Sequence, residues 1–249
     1  MTNAVSIILV EPENPDNIGA VARAMKNMAL SDLRLVKPPK NWRRLGKKMA
    51  MSGVGVLQKA REFKTLKQAI SDARLVIGTT RRRGPKRGQF IAFDEAIQEL
   101  TEIDSRTALV FGKESKGLDN PSLRLCDRTV TIPANPDYPS LNLAQAVMVF
   151  SFSILKTSLV DSSSSPHDFR RGSPAKALGD DILVSKKEME EVLVALQSAL
   201  KALGYDSGRG LIERVKNSFH RLLKRNGLLE SEARMFKGLT RRIIQKAKN

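Results

Sequence analysis

The sequence predicts an α/β protein with a mostly parallel sheet, followed by a small helical extension. Short β-branched, apolar runs alternate with stretches of helical period, which is the pattern of strands joined by crossover helices. After Val160 the chain turns polar, with Asp161-Ser-Ser-Ser-Ser-Pro166, and then regains an apolar helical period. These observations divide it into a catalytic-sized domain over 1–160, a linker over 161–184 and helices over 185–249.

Each element has its own reason. Val5 to Val10 is a compact apolar run and reads as a buried strand. Glu11 to Asn17, dense in Pro, Asn and Asp, is a turn, with Asn17 at the N-cap of a helix from about Ile18 to Ala29. Leu33 to Val36 is the next strand. The segment Lys37 to Ala60 is basic and glycine-punctuated and gives no clear period. Thr65 to Ala73 predicts a helix, Arg74 to Thr79 a strand, and Arg81-Arg-Arg-Gly-Pro-Lys-Arg-Gly88 a loop. Phe93 to Leu100 is helical, Ala108 to Phe111 a strand, Gly112 to Gly117 a turn and Pro121 to Cys126 a short helix. Val130 to Ile132 is a strand. Three prolines then forbid a helix through Tyr138. Ser140 is placed as the N-cap of a largely buried helix from Leu141 to Leu155. In the extension, Ser185-Lys-Lys-Glu188 is a capping box opening a helix to Gly204 through Met189, Val192, Leu193, Leu196, Leu200 and Leu203. Leu211, Val215, Phe219 and Leu222 mark a second helix, and Ala233, Phe236, Leu239 and Ile243 a third.

Composition narrows the function. A formal net charge of +17 points to a polyanionic partner, nucleic acid before an anionic membrane surface, and both parts are basic, +10 over 1–160 and +7 beyond. Nothing approaches the roughly 18 consecutive apolar residues of a membrane span. The N-terminus lacks a basic signal-peptide region, and the single Cys126 fits a reducing cytosol, so a cytoplasmic location is expected. With two scattered histidines, no metal site is expected. At 5% aromatic residues, base-stacking platforms are not the main binding mode.

Three constellations carry the chemistry. Asn17-Ile-Gly-Ala-Val-Ala-Arg23 follows the first strand; on spacing alone it reads as a capping residue, a tightly packed Gly19 and a solvated arginine. Gly112-Lys-Glu-Ser-Lys-Gly117 is a glycine-bounded turn at a strand's carboxyl end, where α/β proteins bind ligands, yet it is neither a Walker loop nor a Rossmann fingerprint. Asn135-Pro-Asp-Tyr-Pro-Ser-Leu-Asn-Leu-Ala144 is a rigid loop presenting Ser140 and Asn142 at a helix start. In that order and spacing they resemble the three motifs of the SPOUT-superfamily RNA 2′-O-ribose methyltransferases of the SpoU/TrmH class, most of all the TrmJ-type tRNA enzymes. The resemblance is close over about residues 4 to 158 and looser in the tail.

The resemblance implies a trefoil-knotted fold, a homodimer, S-adenosyl-L-methionine as cofactor and tRNA as substrate, at nucleotide 32 of the anticodon loop. It implies a catalytic set of Asn17, Arg23, Glu114, Ser140 and Asn142. Glu114 would orient the arginine or receive the hydroxyl proton, and Arg23 would be the base or, since guanidinium holds its proton, a phosphate clamp. The cofactor would lie against Thr79, Thr80, Arg81, Gly112, Ile132, Pro139, Ser140 and Leu141. The charge of Arg82, Arg83, Lys86 and Arg87 marks an RNA-backbone contact, with solvated surface charge as the alternative. Ribosomal RNA is the alternative substrate, and a catalytically silent RNA-binding factor on the same fold is the alternative of another class.

Overall fold

The computed structural model describes residues 5–81, 84, 88–102, 106–163, 182–205 and 210–247. The chain divides into two compact units, residues 1–169 and 170–249.

The first unit is built on a seven-stranded sheet of β1 (Val5–Val10), β2 (Leu33–Val36), β3 (Arg61–Phe63), β4 (Leu75–Thr79), β5 (Phe90–Ile91), β6 (Thr107–Phe111) and β7 (Arg128–Val130), in the order β3-β2-β1-β6-β4-β7-β5. Each neighbouring pair is parallel, with Ile7 beside Leu33 on one side of β1 and beside Leu109 on the other. Its helices are α1 (Pro15–Asn27), α2 (Trp42–Ala50), α3 (Val54–Lys59), α4 (Leu66–Ala69), α5 (Phe93–Glu102), α6 (Asn120–Leu125) and α7 (Leu143–Ser163), with a 3₁₀ turn over Met51–Gly53. Side chains alternate across each strand. Ile7, Leu9, Leu35, Ile77, Leu109 and Phe111 pack with α1, α5 and α7, while Ile8, Val36, Val76, Ala108 and Val110 pack with α4 and α6. Both faces are covered, which is why the strands are apolar throughout.

Several expected boundaries move. α1 starts three residues early, because Asn14 is its cap: its Oδ1 accepts from the Asp16 N–H at 2.9 Å, and Pro15 opens the helix. Asn17, expected at the N-cap, therefore stands in the first turn. The unassigned basic segment is mostly helical, as α2, the 3₁₀ turn and α3, and it runs into the short edge strand β3. The helix expected over Thr65 to Ala73 is the single turn α4, capped by Thr65. The cap of α7 is Asn142 rather than Ser140. Asn142 Oδ1 accepts from the Ala144 N–H at 2.8 Å, and Gln145 Oε1 accepts from the Asn142 N–H at 3.1 Å, a reciprocal cap. α7 continues to Ser163, three residues into the segment expected as linker.

The second unit holds α8 (Lys186–Ala202), α9 (Leu211–Asn226) and α10 (Glu230–Lys246). The Ser185–Glu188 capping box is present. Val184, Met189, Val192, Leu193, Leu223, Leu228 and Ala233 form its core, and Phe219 meets Phe236 edge to face at 5.4 Å. Val184, expected in the linker, is thus part of this core, and its N–H donates to Leu228 O at 2.8 Å. Leu203, Leu222 and Leu239, expected on the packed stripes, are exposed, while Ile212 and Leu223 are buried.

Candidate active site

The sheet topology brings the three constellations to one edge. From β1 the chain runs outward to β2 and β3, then crosses to β4 on the other side, and β6 fills the gap between β1 and β4. The carboxyl ends beside such a switch in direction are where open parallel sheets hold ligands. The first constellation leaves β1, the second leaves β6, and the third leaves β7, which neighbours β4.

Asn17 joins all three. Its Nδ2 donates to Glu114 Oε1 at 2.9 Å, and its Oδ1 accepts from Asn142 Nδ2 at 3.0 Å. Glu114 accepts two main-chain N–H groups as well, from Glu13 at 2.8 Å and Asn14 at 3.3 Å. Asn142 in turn caps α7 through its amide oxygen. Both amides thus have a donor end and an acceptor end engaged, so their neighbours fix which way each faces.

A second clasp binds the same two loops. Glu13 accepts from the Ser115 N–H at 3.0 Å and from the Ser115 hydroxyl at 2.8 Å. The hydroxyl bond, and then the N–H bond, hold the Glu13 carboxyl below the usual carboxylate range. Glu11 lies between Lys113 Nζ at 2.6 Å and Lys37 Nζ at 3.2 Å, and its carboxyl is lowered first by the Lys113 hydrogen bond and then by that from Lys37. Nothing local in the sequence marks Glu13 or Ser115, because they are 102 positions apart and meet only because β1 and β6 are neighbours.

The glycines of the motifs are packing requirements. A Cβ on Gly112 would stand 2.1 Å from the Gly117 carbonyl carbon, so the turn closes only around a residue without one. A Cβ on Gly19 would stand 2.0 Å from Gly46 O, which sets the close crossing of α1 and α2.

The remaining predicted residues fall in two groups. Thr79 ends β4 and Thr80 follows it: Thr79 Oγ1 donates to Val110 O at 3.0 Å, the Thr80 N–H donates to Val130 O at 3.0 Å, and Thr131 Oγ1 donates to Thr80 O at 2.6 Å. Arg81, Gly112, Ile132, Pro139, Ser140 and Leu141 lie in the loops that follow β4, β6 and β7, so the expected cofactor contacts share the edge with the asparagine–glutamate cluster. Arg23 and Ser140 are not drawn into that cluster; each is exposed, and neither side chain hydrogen bonds to a described residue. Arg82, Arg83, Lys86 and Arg87 lie outside the described residues.

The edge suits a nucleoside cofactor. Ser140 and Leu141 are exposed, and their main-chain N–H groups make no hydrogen bond among the described residues, while Ile132, earlier in the same loop, is half-buried against the core. Unpaired N–H groups are free to bind the polar edge of a nucleoside. Among the described residues no cluster of His, Cys, Asp and Glu is placed to hold a metal ion.

The profile of the SpoU rRNA Methylase family matches residues 4–152. The chain belongs to the SpoU methylase family. All three constellations fall within the matched residues. The chain is 31% identical over 247 residues to the tRNA (cytidine/uridine/adenosine-2′-O-)-methyltransferase TrmJ of Pseudomonas aeruginosa, spanning 96% of this chain and 93% of that protein. It is 29% identical over 229 residues to an uncharacterized tRNA/rRNA methyltransferase of Haemophilus influenzae, spanning 92% and 91%. The crystal structure of TrmJ from Z. mobilis superposes with a TM-score of 0.75 at 30% identity, covering 96% of this chain and 98% of that one. The α/β unit of this chain is therefore a SpoU methylase domain.

Proposed function

We propose that this chain is an S-adenosyl-L-methionine-dependent tRNA 2′-O-ribose methyltransferase acting at nucleotide 32 of the anticodon loop. The hydrogen-bonded series Asn142–Asn17–Glu114 carries the proposal, since it ties the three motifs into one site at the ligand-binding edge of the sheet. The substrate follows from the TrmJ relatives, and the nucleotide from the TrmJ-type form of the motifs. Ribosomal RNA is the second reading, favoured by the description of the matching family as an rRNA methylase. The net charge of +17 suits either RNA.

The cofactor supplies an activated methyl group, and the work left to the protein is to position the ribose hydroxyl and accept its proton. Thr80, Gly112, Ile132, Ser140 and Leu141 would hold the cofactor. Glu114 is the anchor of the site: three N–H donors converge on its carboxylate and fix the loop leading into α1. Arg23 is a phosphate clamp. Guanidinium does not give up its proton, and this one is exposed on α1 without a partner among the described residues. Arg82, Arg83, Lys86 and Arg87 enter the proposal as RNA contacts on their charge alone.

The proposal includes a homodimer and a trefoil knot, both from the family resemblance. Phe152 and Leu159, seven positions apart on one side of α7 and 53% and 59% exposed, offer apolar surface for a second copy. Residues 185–249 are proposed to add RNA affinity. Arg23→Ala tests the assignment of roles: methyl transfer should fall at least about a hundredfold, while cofactor affinity and melting temperature stay near wild type. Full activity in that variant would remove Arg23 from the site.

A further inference from the structure

The basic segment that leads into α2 has a role that the three motifs do not cover. Lys37 to Lys48 holds six cations and no acidic residue. Lys37 is paired with Glu11, and Arg43 with Glu62 at 2.5 Å. Lys40, Arg44, Lys47 and Lys48 are exposed and pair with no described residue. Elsewhere in this unit Arg34, Arg61, Arg106 and Lys113 are held by carboxylates, whereas here four cations without counter-charge stand within nine positions, 40–48.

The placement of α2 is also fixed. Trp42, Gly46 and Ala50 are its buried side, four residues apart in turn. At 100° per residue, Arg44 and Lys48 stand on the opposite side, facing solvent. Gly46 rests on α1 so closely that a Cβ there would lie 2.6 Å from Pro15 O and 3.3 Å from the Gly19 nitrogen. Gly53, just past α2, would in the same way meet Ala22 O and the Arg23 nitrogen at 2.6 Å. The helix that carries Asn17 and Arg23 is thus clamped, without intervening side chains, to the helix that carries the unpaired cations.

We propose that the solvent side of α2, with Lys40, Arg44, Lys47 and Lys48, is a second RNA contact that holds substrate phosphates beside the methyl-transfer site. A row of cations without counter-charge binds a phosphate backbone by releasing its condensed counterions, and it carries no base preference. The rigid glycine crossing converts that grip into register, because RNA held on α2 is held relative to Arg23 on α1. This inference rests on the RNA-methyltransferase reading.

The test compares Arg44→Gln/Lys48→Gln with a charge-matched control, Lys59→Gln/Lys64→Gln, whose lysines flank β3. A labelled tRNA transcript is titrated from 50 to 300 mM salt by fluorescence anisotropy, with methyl transfer followed in parallel. The α2 double variant should bind about tenfold more weakly near 0.1 M salt, and its log–log salt slope should be shallower by roughly 1.4 to 1.8, two phosphates at about 0.7 to 0.9 each. The control should match wild type in both binding and methyl transfer. Equal loss in both doubles overturns the inference, because net charge rather than α2 would then be what RNA senses. An unchanged slope with native melting overturns it too. Should wild-type protein bind the transcript but transfer no methyl group, a selective loss in the α2 double would still support the contact while the enzymatic reading failed.

Discussion

Asn17 is the residue on which the site turns, since its one amide touches both other motifs. Asn17→Ala leaves Glu114 with its two main-chain donors and the Asn142 side-chain N–H without its acceptor, so the loops lose their common register. A shift of about 1 Å at a reacting centre costs on the order of a hundredfold, and kcat at saturating substrates should fall by that much or more, with little change in melting. Asn17→Asp should be no better, because it sets a second carboxylate against Glu114; recovery of activity in that variant would show that the donor end of the amide is not needed. Gly112→Ala should instead abolish cofactor binding in calorimetry, as its Cβ cannot share space with Gly117. At this scale the sequence was informative for Asn17, Glu114 and Asn142 because a motif preserves residue type and spacing, which is what a hydrogen-bonded site needs. It was silent on Glu13 and Ser115, whose pairing depends on strand order. It misplaced the α1 and α7 caps because Asn14, Asn17, Ser140 and Asn142 are all good capping residues, and only the onset of the helix selects among them.

Among the elements, the sheet separates binding from stability. The carboxyl edge carries the site, and the amino edge carries a charge network around Arg34, which is 2% exposed. Arg34 donates to Asp32 Oδ2 at 2.7 Å and to Ala69 O at 2.6 Å, and it pairs with Asp72; Ser6 and Arg61 also bind Asp32, and Arg106 binds Asp72. Burial raises the Asp32 pKa, but the hydrogen bonds from Arg34, Ser6 and Arg61 outweigh it, and the result is lowered to about 2. A carboxyl lowered on folding contributes stability that is full above its unfolded value of 3.8 and lost as the pH falls toward 2. Melting temperature should therefore decline between pH 4 and 2, and Asp32→Asn should be less stable at pH 7 with a flatter acid limb. Arg34→Met, which removes the buried partner that two carboxylates share, should cost about 3 kcal/mol in denaturant unfolding. Strands buried on both faces were readable from their composition. The segment from Lys37 to Ala60 was not, because its helices are short and the buried side of α2 is only Trp42, Gly46 and Ala50, two of them small, pressed against α1.

For the whole molecule, the order of the three motifs along the chain was enough to indicate the fold class, since each follows a strand that ends at the same edge. Strand order, the short strands β3 and β5 and the exposure of Leu222 and Leu239 are decided by partners distant in sequence, and no local period encodes them. A knotted chain pulled by its two ends should unfold to a length short of the roughly 3.3 to 3.6 Å per residue of a fully extended chain, whereas reaching that limit would exclude the knot. The central claim is tested most directly by incubating the purified protein with labelled S-adenosyl-L-methionine and total tRNA or total rRNA, then mapping the labelled ribose. The expected result is a 2′-O-methyl group at nucleotide 32 of tRNA, absent with the Asn17→Ala variant. Label in neither RNA, with cofactor binding intact, would contradict the account and leave an RNA-binding protein on a methylase fold.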